Sequence, residues 1–247
     1  MTSPPPPHRP RVLVNFASSV DGKINPAPGL RHGKFMMSRH REDFRRMVAL
    51  REQADAILIG ATNLRADNPD LAIPADERAS RRARGTPEPA RIVVTTTGEG
   101  ITPDQRMFDP ALGGPSIILH APAMPAEIRA RLGTVAELVQ FSGERVAMAD
   151  VLTWLAGRGF RTLLCEGGGA LVAQFFSARA VDALYLTLVP RILGGARAPT
   201  LAGGPGFAPD EIPDPKLASL ERVGDELYLR YEFNWGPTTS TATNDAH

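Results

Sequence analysis

Short runs of consecutive apolar residues punctuate the chain at a length that suits buried strands: Val12–Phe16, Ala56–Ile59, Ile92–Thr95, Ile117–Leu119, Leu138–Phe141, Thr162–Cys165, Ala183–Val189 and Leu227–Phe233. Between most of them the period changes to that of an amphipathic helix, over Arg39–Gln53, Ala126–Leu132, Met148–Ala156 and Ala170–Ser177. Strand and helix in alternation predict an α/β fold in which a mostly parallel central sheet of about eight strands lies between two helical layers. The last two runs break the rule. Leu184, Leu186 and Leu188 alternate with Tyr185, Thr187 and Val189, Leu227, Leu229 and Tyr231 alternate with Tyr228 and Arg230, and no crossover-length helix separates the two runs. They predict an antiparallel pair at one edge of the sheet.

Two stretches interrupt the alternation. Pro74–Pro89, with Arg78, Arg81, Arg82 and Arg84, and Leu193–Pro215, rich in glycine and proline, read as surface loops. The proline run at the start and the small polar tail from Gly236 lack apolar anchors, so residues 1–10 and 236–247 are expected to be disordered around one domain at 11–235. Composition then removes several classes of function. A formal net charge of +1 gives no pull toward nucleic acid, and no stretch reaches the roughly 18 apolar residues of a membrane span. One cysteine, Cys165, and five histidines without ligand-like spacing give no metal site to expect. The N-terminus has no apolar signal core, which leaves the cytoplasm as the expected location.

Candidate chemistry gathers where strands end. Thr162–Cys165 runs into Glu166 and three glycines, Gly167, Gly168 and Gly169, before a helix opens at Ala170 and Leu171. Glycines let the backbone turn at positive φ and approach a ligand closely, and a helix start offers free N–H groups to a phosphate, so the segment suits a dinucleotide pyrophosphate as well as a plain tight turn. The first strand passes from Ala17 into Ser18, Ser19, Asp21, Gly22 and Lys23; the second passes from Gly60 into Thr62 and Asp67. Carboxyl ends of strands are where ligands sit in open α/β sheets. In the helical segment between them, Phe44, Met47 and Val48 form an apolar stripe that Arg51 continues, so this arginine points inward and needs an anion: Asp67 or a bound phosphate. Ser38 suits either the N-cap of that helix or a phosphate contact.

Together, the Ser-x-Asp-Gly-Lys stretch of Asn15–Ile24, Ile57–Leu71, Glu166-Gly-Gly-Gly-Ala-Leu and Val181–Gly195 resemble the riboflavin-biosynthesis pyrimidine reductases, over roughly Arg11 to Phe233 and in the same order. The resemblance implies the three-layer dihydrofolate reductase-like fold and NADPH-dependent conversion of a ribosylamino-pyrimidine 5′-phosphate to its ribitylamino form. By position it implies Lys23, Asp67 and Glu166 around the reacting sugar, with Glu166 a partly desolvated carboxyl suited to proton exchange. It also implies Ser38, Arg51 and Leu71 on the phosphorylated substrate, and Ala17, Gly60, Thr62, Thr95, Gly167, Gly168, Gly169, Ala170 and Leu171 on the cofactor. Thr95, with Thr96 and Thr97, falls in the region that meets the adenosine 2′-phosphate. A homodimer is implied as well.

The chain also departs from that pattern. The His-x-Glu and Pro-Cys-x-x-Cys signature of the zinc deaminase domain found in bifunctional members is absent, so a stand-alone reductase is expected. Pro74 stands where an arginine usually binds the substrate phosphate, which leaves Arg65 or one of Arg78 to Arg84 to replace it. Two other readings stay open: a reductase of the same fold acting on a dihydropterin or another imine, and a noncatalytic nucleotide-binding module.

Overall fold

Fully buried apolar runs form the strands. In the computed structural model, which describes residues 9–27 and 38–235, these are β1 (Arg11–Ser19), β2 (Ala56–Gly60), β3 (Ala90–Thr95), β4 (Ser116–His120), β5 (Glu137–Gln140), β6 (Thr162–Cys165), β7 (Val181–Val189), β8 (Lys216–Val223) and β9 (Glu226–Glu232). They join one sheet in the order β5-β4-β3-β2-β6-β1-β7-β9-β8. All neighbours from β5 to β7 are parallel, while β9 is antiparallel to both β7 and β8. The expected alternation and the antiparallel edge are both present.

Successive side chains on the inner strands enter opposite cores. Val12, Val14, Leu58, Ile92 and Leu163 pack against Val151 and Leu155 of α5 (Met148–Gly157) and Val172 and Phe175 of α6 (Gly169–Ser177). The other face carries Leu13, Ile57, Ile59, Val93 and Leu164. It is covered by Leu50 of α1 (Arg41–Gln53), Leu64 of α2 (Ala61–Asp67) and Leu132 of α4 (Ala126–Leu132). Burial on both faces is the reason these strands read as unbroken apolar runs. No helix among the described residues is long and apolar enough to cross a membrane.

Several expectations need correction. Among the described residues the sheet has nine strands: β8 escaped because it is solvent-exposed nearly throughout, and pairing with β9 alone gives its side chains no apolar pattern to show. Pro74–Pro89 is not a loop, since α3 spans Ala75–Ala83 behind Pro74. Its Arg81 is buried and donates to the carbonyls of Glu52, Ala54 and Pro87, a structural use of a charge that sequence assigns to solvent. The short α2 was also unannounced. Phe44 faces solvent at 53% exposure, so on the buried face of α1 Leu50 takes its place beside the expected Val48 and Arg51. Of the expected disordered ends, 1–8 and 236–247 lie outside the described residues, whereas Arg9 is placed with its guanidinium forked onto the Asp182 carboxylate at 2.6 and 2.9 Å.

Candidate active site

A cavity of roughly 810 Å³ opens across the carboxyl ends of β1, β2, β3 and β6. Its wall brings together ten of the fifteen expected site residues: Ala17, Gly60, Thr62, Asp67, Thr95, Glu166, Gly168, Gly169, Ala170 and Leu171. The glycine turn has the geometry its sequence suggests. Gly167 and Gly168 take φ of +139° and +81°, and Gly168 is the N-cap of α6, whose first residues face the cavity. Gly60 N–H donates to the Gly167 carbonyl at 3.2 Å, which ties the end of β2 to the turn. Thr95 lies at the far end, where its hydroxyl accepts from Gly98 N–H at 2.9 Å, and Arg65 and Arg145 contribute cationic side chains to the wall.

Glu166 is the best-held group of the site. Arg51 donates from Nε and one terminal nitrogen to its two carboxylate oxygens, both at 2.7 Å, and from the other nitrogen to the Ala72 carbonyl at 2.6 Å. Asp70 stands 3.6 Å from the same guanidinium. Burial opposes the charge on Arg51, but the facing carboxylates of Glu166 and Asp70 outweigh it and raise its pKa above the ordinary arginine value. Arg51 is thus inward, as its helical position indicated, and the carboxylate it grips is Glu166 rather than Asp67. A planar fork matched to a carboxylate fixes both the position and the orientation of that carboxylate.

The remaining expected residues lie off the cavity wall. Lys23 closes a turn in which its N–H donates to the Ser19 hydroxyl and its carbonyl accepts from Ser19 N–H, both at 2.9 Å, and its backbone bridges to Thr200. Asp21 pins that turn to the 193–194 loop by accepting from the Ser19 hydroxyl and from the N–H groups of Leu193 and Gly194, which hold its carboxyl down to about 2. Leu71 is a core residue at 1% exposure with φ of +54°. Gly167 contributes its turn rather than wall surface. Ser38 is not the N-cap; His40 takes that place, and Ser38 donates to Glu226 at 2.7 Å.

The model of the RibD C-terminal domain matches residues 10–229. The chain belongs to the RibD C-terminal domain family. Among its relatives, the 2,5-diamino-6-ribosylamino-4(3H)-pyrimidinone 5′-phosphate reductase of Archaeoglobus fulgidus is 30% identical, with 92% of this chain and 99% of that one covered. The enzyme of that name from Methanothermobacter thermautotrophicus is 32% identical over 90% and 98% of the two chains. A pyrimidine reductase-like protein from Corynebacterium diphtheriae shares the fold at a TM-score of 0.72, with 20% identity and 92% of each chain covered. Family and fold are those expected from sequence, and the chain is an oxidoreductase of the riboflavin-pathway pyrimidine reductase type.

In this RibD-type domain, sequence reasoning missed Asp43, Asn15 and Arg145, which also line the cavity. Asp43 was legible in principle: Asp43, Met47 and Arg51 recur at i, i+4 and i+8, on one face of α1. Burial pushes the Asp43 carboxyl above its ordinary value against a hydrogen bond with Thr187, with Glu226 adding to the shift and Arg46 opposing it. By contrast Cys165, wholly buried with its thiol pushed up to about 12, is no nucleophile.

Glu226 anchors the entry to α1 in the same domain. Its carboxylate accepts from Ser38 at 2.7 Å, Tyr228 at 2.9 Å and Arg39 N–H at 3.0 Å. Burial alone would raise its pKa, but these three donors hold it below the ordinary value. A depressed carboxyl stabilises the fold above its unfolded pKa and loses that contribution as pH falls through the folded one. Glu226→Gln is therefore expected to lower stability by about 1.5–3 kcal/mol near pH 7. The gap between the two melting temperatures should close on acidification below about pH 4. A gap independent of pH would mean that the Glu226 charge contributes nothing.

Proposed function

We propose that the chain reduces a ribosylamino-pyrimidine 5′-phosphate to its ribitylamino form with NADPH. The observation that carries this reading is a carboxylate, Glu166, locked by Arg51 beside a glycine turn and a helix start that face one cavity at the carboxyl ends of the parallel strands. The cavity fits a nicotinamide dinucleotide: Gly168, Gly169 and Ala170 present a bare backbone at the positive end of α6 for its pyrophosphate. Thr95, Thr96, Thr97, Arg65 and Arg145 offer hydroxyls and positive charge at the far end for a further phosphate. When bound, such a cofactor supplies a hydride.

The chain's own residues supply orientation and proton control. Glu166 is held to point at a ligand hydroxyl or amine, and Ala17 and Gly60 leave room for a flat ring over the ends of β1 and β2. Asp67 extends the polar wall from the end of α2, and Lys23 belongs to the proposal through the turn that shapes its rim. Pro74 favours a second reading, another imine or a dihydropterin. It leads into α3, whose Arg78, Arg81, Arg82 and Arg84 are engaged with Ala111, with Glu52, Ala54 and Pro87, with Glu88 and with Ser80, while Arg65 at the far end of the cavity donates to the Glu99 carbonyl and the Thr62 hydroxyl, so each arginine of the expected group already has a partner. The proposed setting is a homodimer in the cytoplasm; β8, which exposes Leu217 and Leu220, is the edge a second copy would cover.

The deciding assay follows oxidation of the reduced dinucleotide with the diaminopyrimidinone and aminouracil ribosylamino phosphates in parallel, their dephosphorylated forms, and dihydrofolate. Turnover of one phosphorylated pyrimidine, lost on dephosphorylation, is expected. Silence with both pyrimidines in a protein that binds the dinucleotide would move the reading to the second substrate class.

A further inference from the structure

The reduction consumes one proton, and among the described residues the cavity offers few groups to deliver it. Glu166 has both oxygens occupied by Arg51, Asp67 is exposed at the end of α2, and Lys23 does not reach the wall. Asp43 differs from all three. It sits in the first turn of α1 on the cavity wall with Met47 and Asn15, half-buried, near the Thr187 hydroxyl of β7, and it makes no ion pair among the described residues. Among the described residues the charged groups that act on it are Glu226 from β9 and Arg46 from its own helix, and Arg46 is itself bound by Glu42 and Glu221. A carboxyl so placed is supported in its protonated form by burial and by a like charge, which is what a general acid near neutral pH requires.

We propose that Asp43 is the acid that protonates the substrate nitrogen in this reduction, a role that rests on the pyrimidine reading above. Opening of the sugar ring moves the nitrogen's proton to the ring oxygen and leaves a C1′=N bond. Hydride from the reduced nicotinamide class of cofactor adds to C1′, the C=N electron pair moves to nitrogen, and nitrogen takes the Asp43 proton. The sugar carbon is reduced, the dinucleotide is oxidised, and Asp43 regains its proton from water. Thr187 is the positioning residue that aims the carboxyl.

Single-turnover oxidation of the reduced dinucleotide across pH, compared for the unmodified protein, Asp43→Asn and Thr187→Val, tests this. The amide of the first variant keeps a hydrogen-bonding partner for Thr187 but holds no acidic proton, so its rate should fall about 10²–10⁴-fold with dinucleotide affinity and melting temperature nearly unchanged. The rate of the unmodified protein should decline as pH rises through the Asp43 titration, and that limb should move to higher pH in Thr187→Val, because the Thr187 hydroxyl favours the ionised form. Carbon-13 NMR of the aspartate carboxyls supplies a readout free of turnover: the resonance missing in Asp43→Asn should titrate above the ordinary aspartate range. An Asp43→Asn rate within about threefold of the unmodified one, or an ordinary titration, overturns the proposal alone. Absence of turnover in the unmodified protein overturns it together with the pyrimidine reading.

Discussion

Arg51→Ala is expected to destabilise the protein by about 3–5 kcal/mol and to abolish most turnover. The guanidinium is the cationic partner of a Glu166 side chain that is 9% exposed, so its removal strands a buried negative charge. For a chain of this size that corresponds to a fall of roughly 10 °C in melting temperature. Arg51→Lys should recover part of the stability and little of the activity, because a single ammonium cannot hold both carboxylate oxygens in one plane. The double variant Arg51→Met, Glu166→Gln separates the two consequences. Neutralising both partners should restore the melting temperature, since no unpaired charge stays buried, while turnover remains lost because the oriented carboxylate is gone. A stable Arg51→Ala protein with a raised Michaelis constant for the phosphorylated substrate alone would instead make Arg51 the phosphate contact that its position in the sequence first implied.

Gly169→Ala is expected to weaken dinucleotide binding at least tenfold and to cost about 1–3 kcal/mol of stability, the usual range for overpacking. A Cβ on Gly169 would sit well inside van der Waals contact with the Thr200 carbonyl oxygen and 3.3 Å from the Gly203 nitrogen. Both are backbone atoms, so no side chain can rotate away. The bond from Gly203 N–H to the Gly169 carbonyl, 2.9 Å long, would have to yield, and the helix start would shift out of the cavity wall. Gly157 is the control: a Cβ there meets nothing within 4 Å, so Gly157→Ala should leave both affinity and stability unharmed. Calorimetric titration of the dinucleotide against the two variants checks the pair, and equal affinities would show that the turn tolerates displacement.

How far the sequence reaches differs from element to element. The inner strands were legible because burial on both faces demands unbroken apolar runs, and the glycine turn because three residues without Cβ after a buried strand have few other uses. Arg51 could be seen to point inward from the helical period alone. What it points at could not, because Glu166 is 115 positions away and its approach depends on β6 lying beside β2. Ser38 suited a local cap or a phosphate contact, yet its partner Glu226 comes from 188 residues on, at the start of β9. Arg81 and Asp43 show the same limit in opposite senses: one looked solvated and is buried against carbonyls, the other drew no notice and faces the cavity. The strand β8, paired on one side and bare on its faces, leaves no periodic trace at all. By itself, then, the sequence determined the alternation of elements, the two cores, the glycine turn and the family, because period and local chemistry are properties of neighbours along the chain. Only the tertiary structure decided which charges meet and which are desolvated, because pairing and burial are properties of neighbours in space.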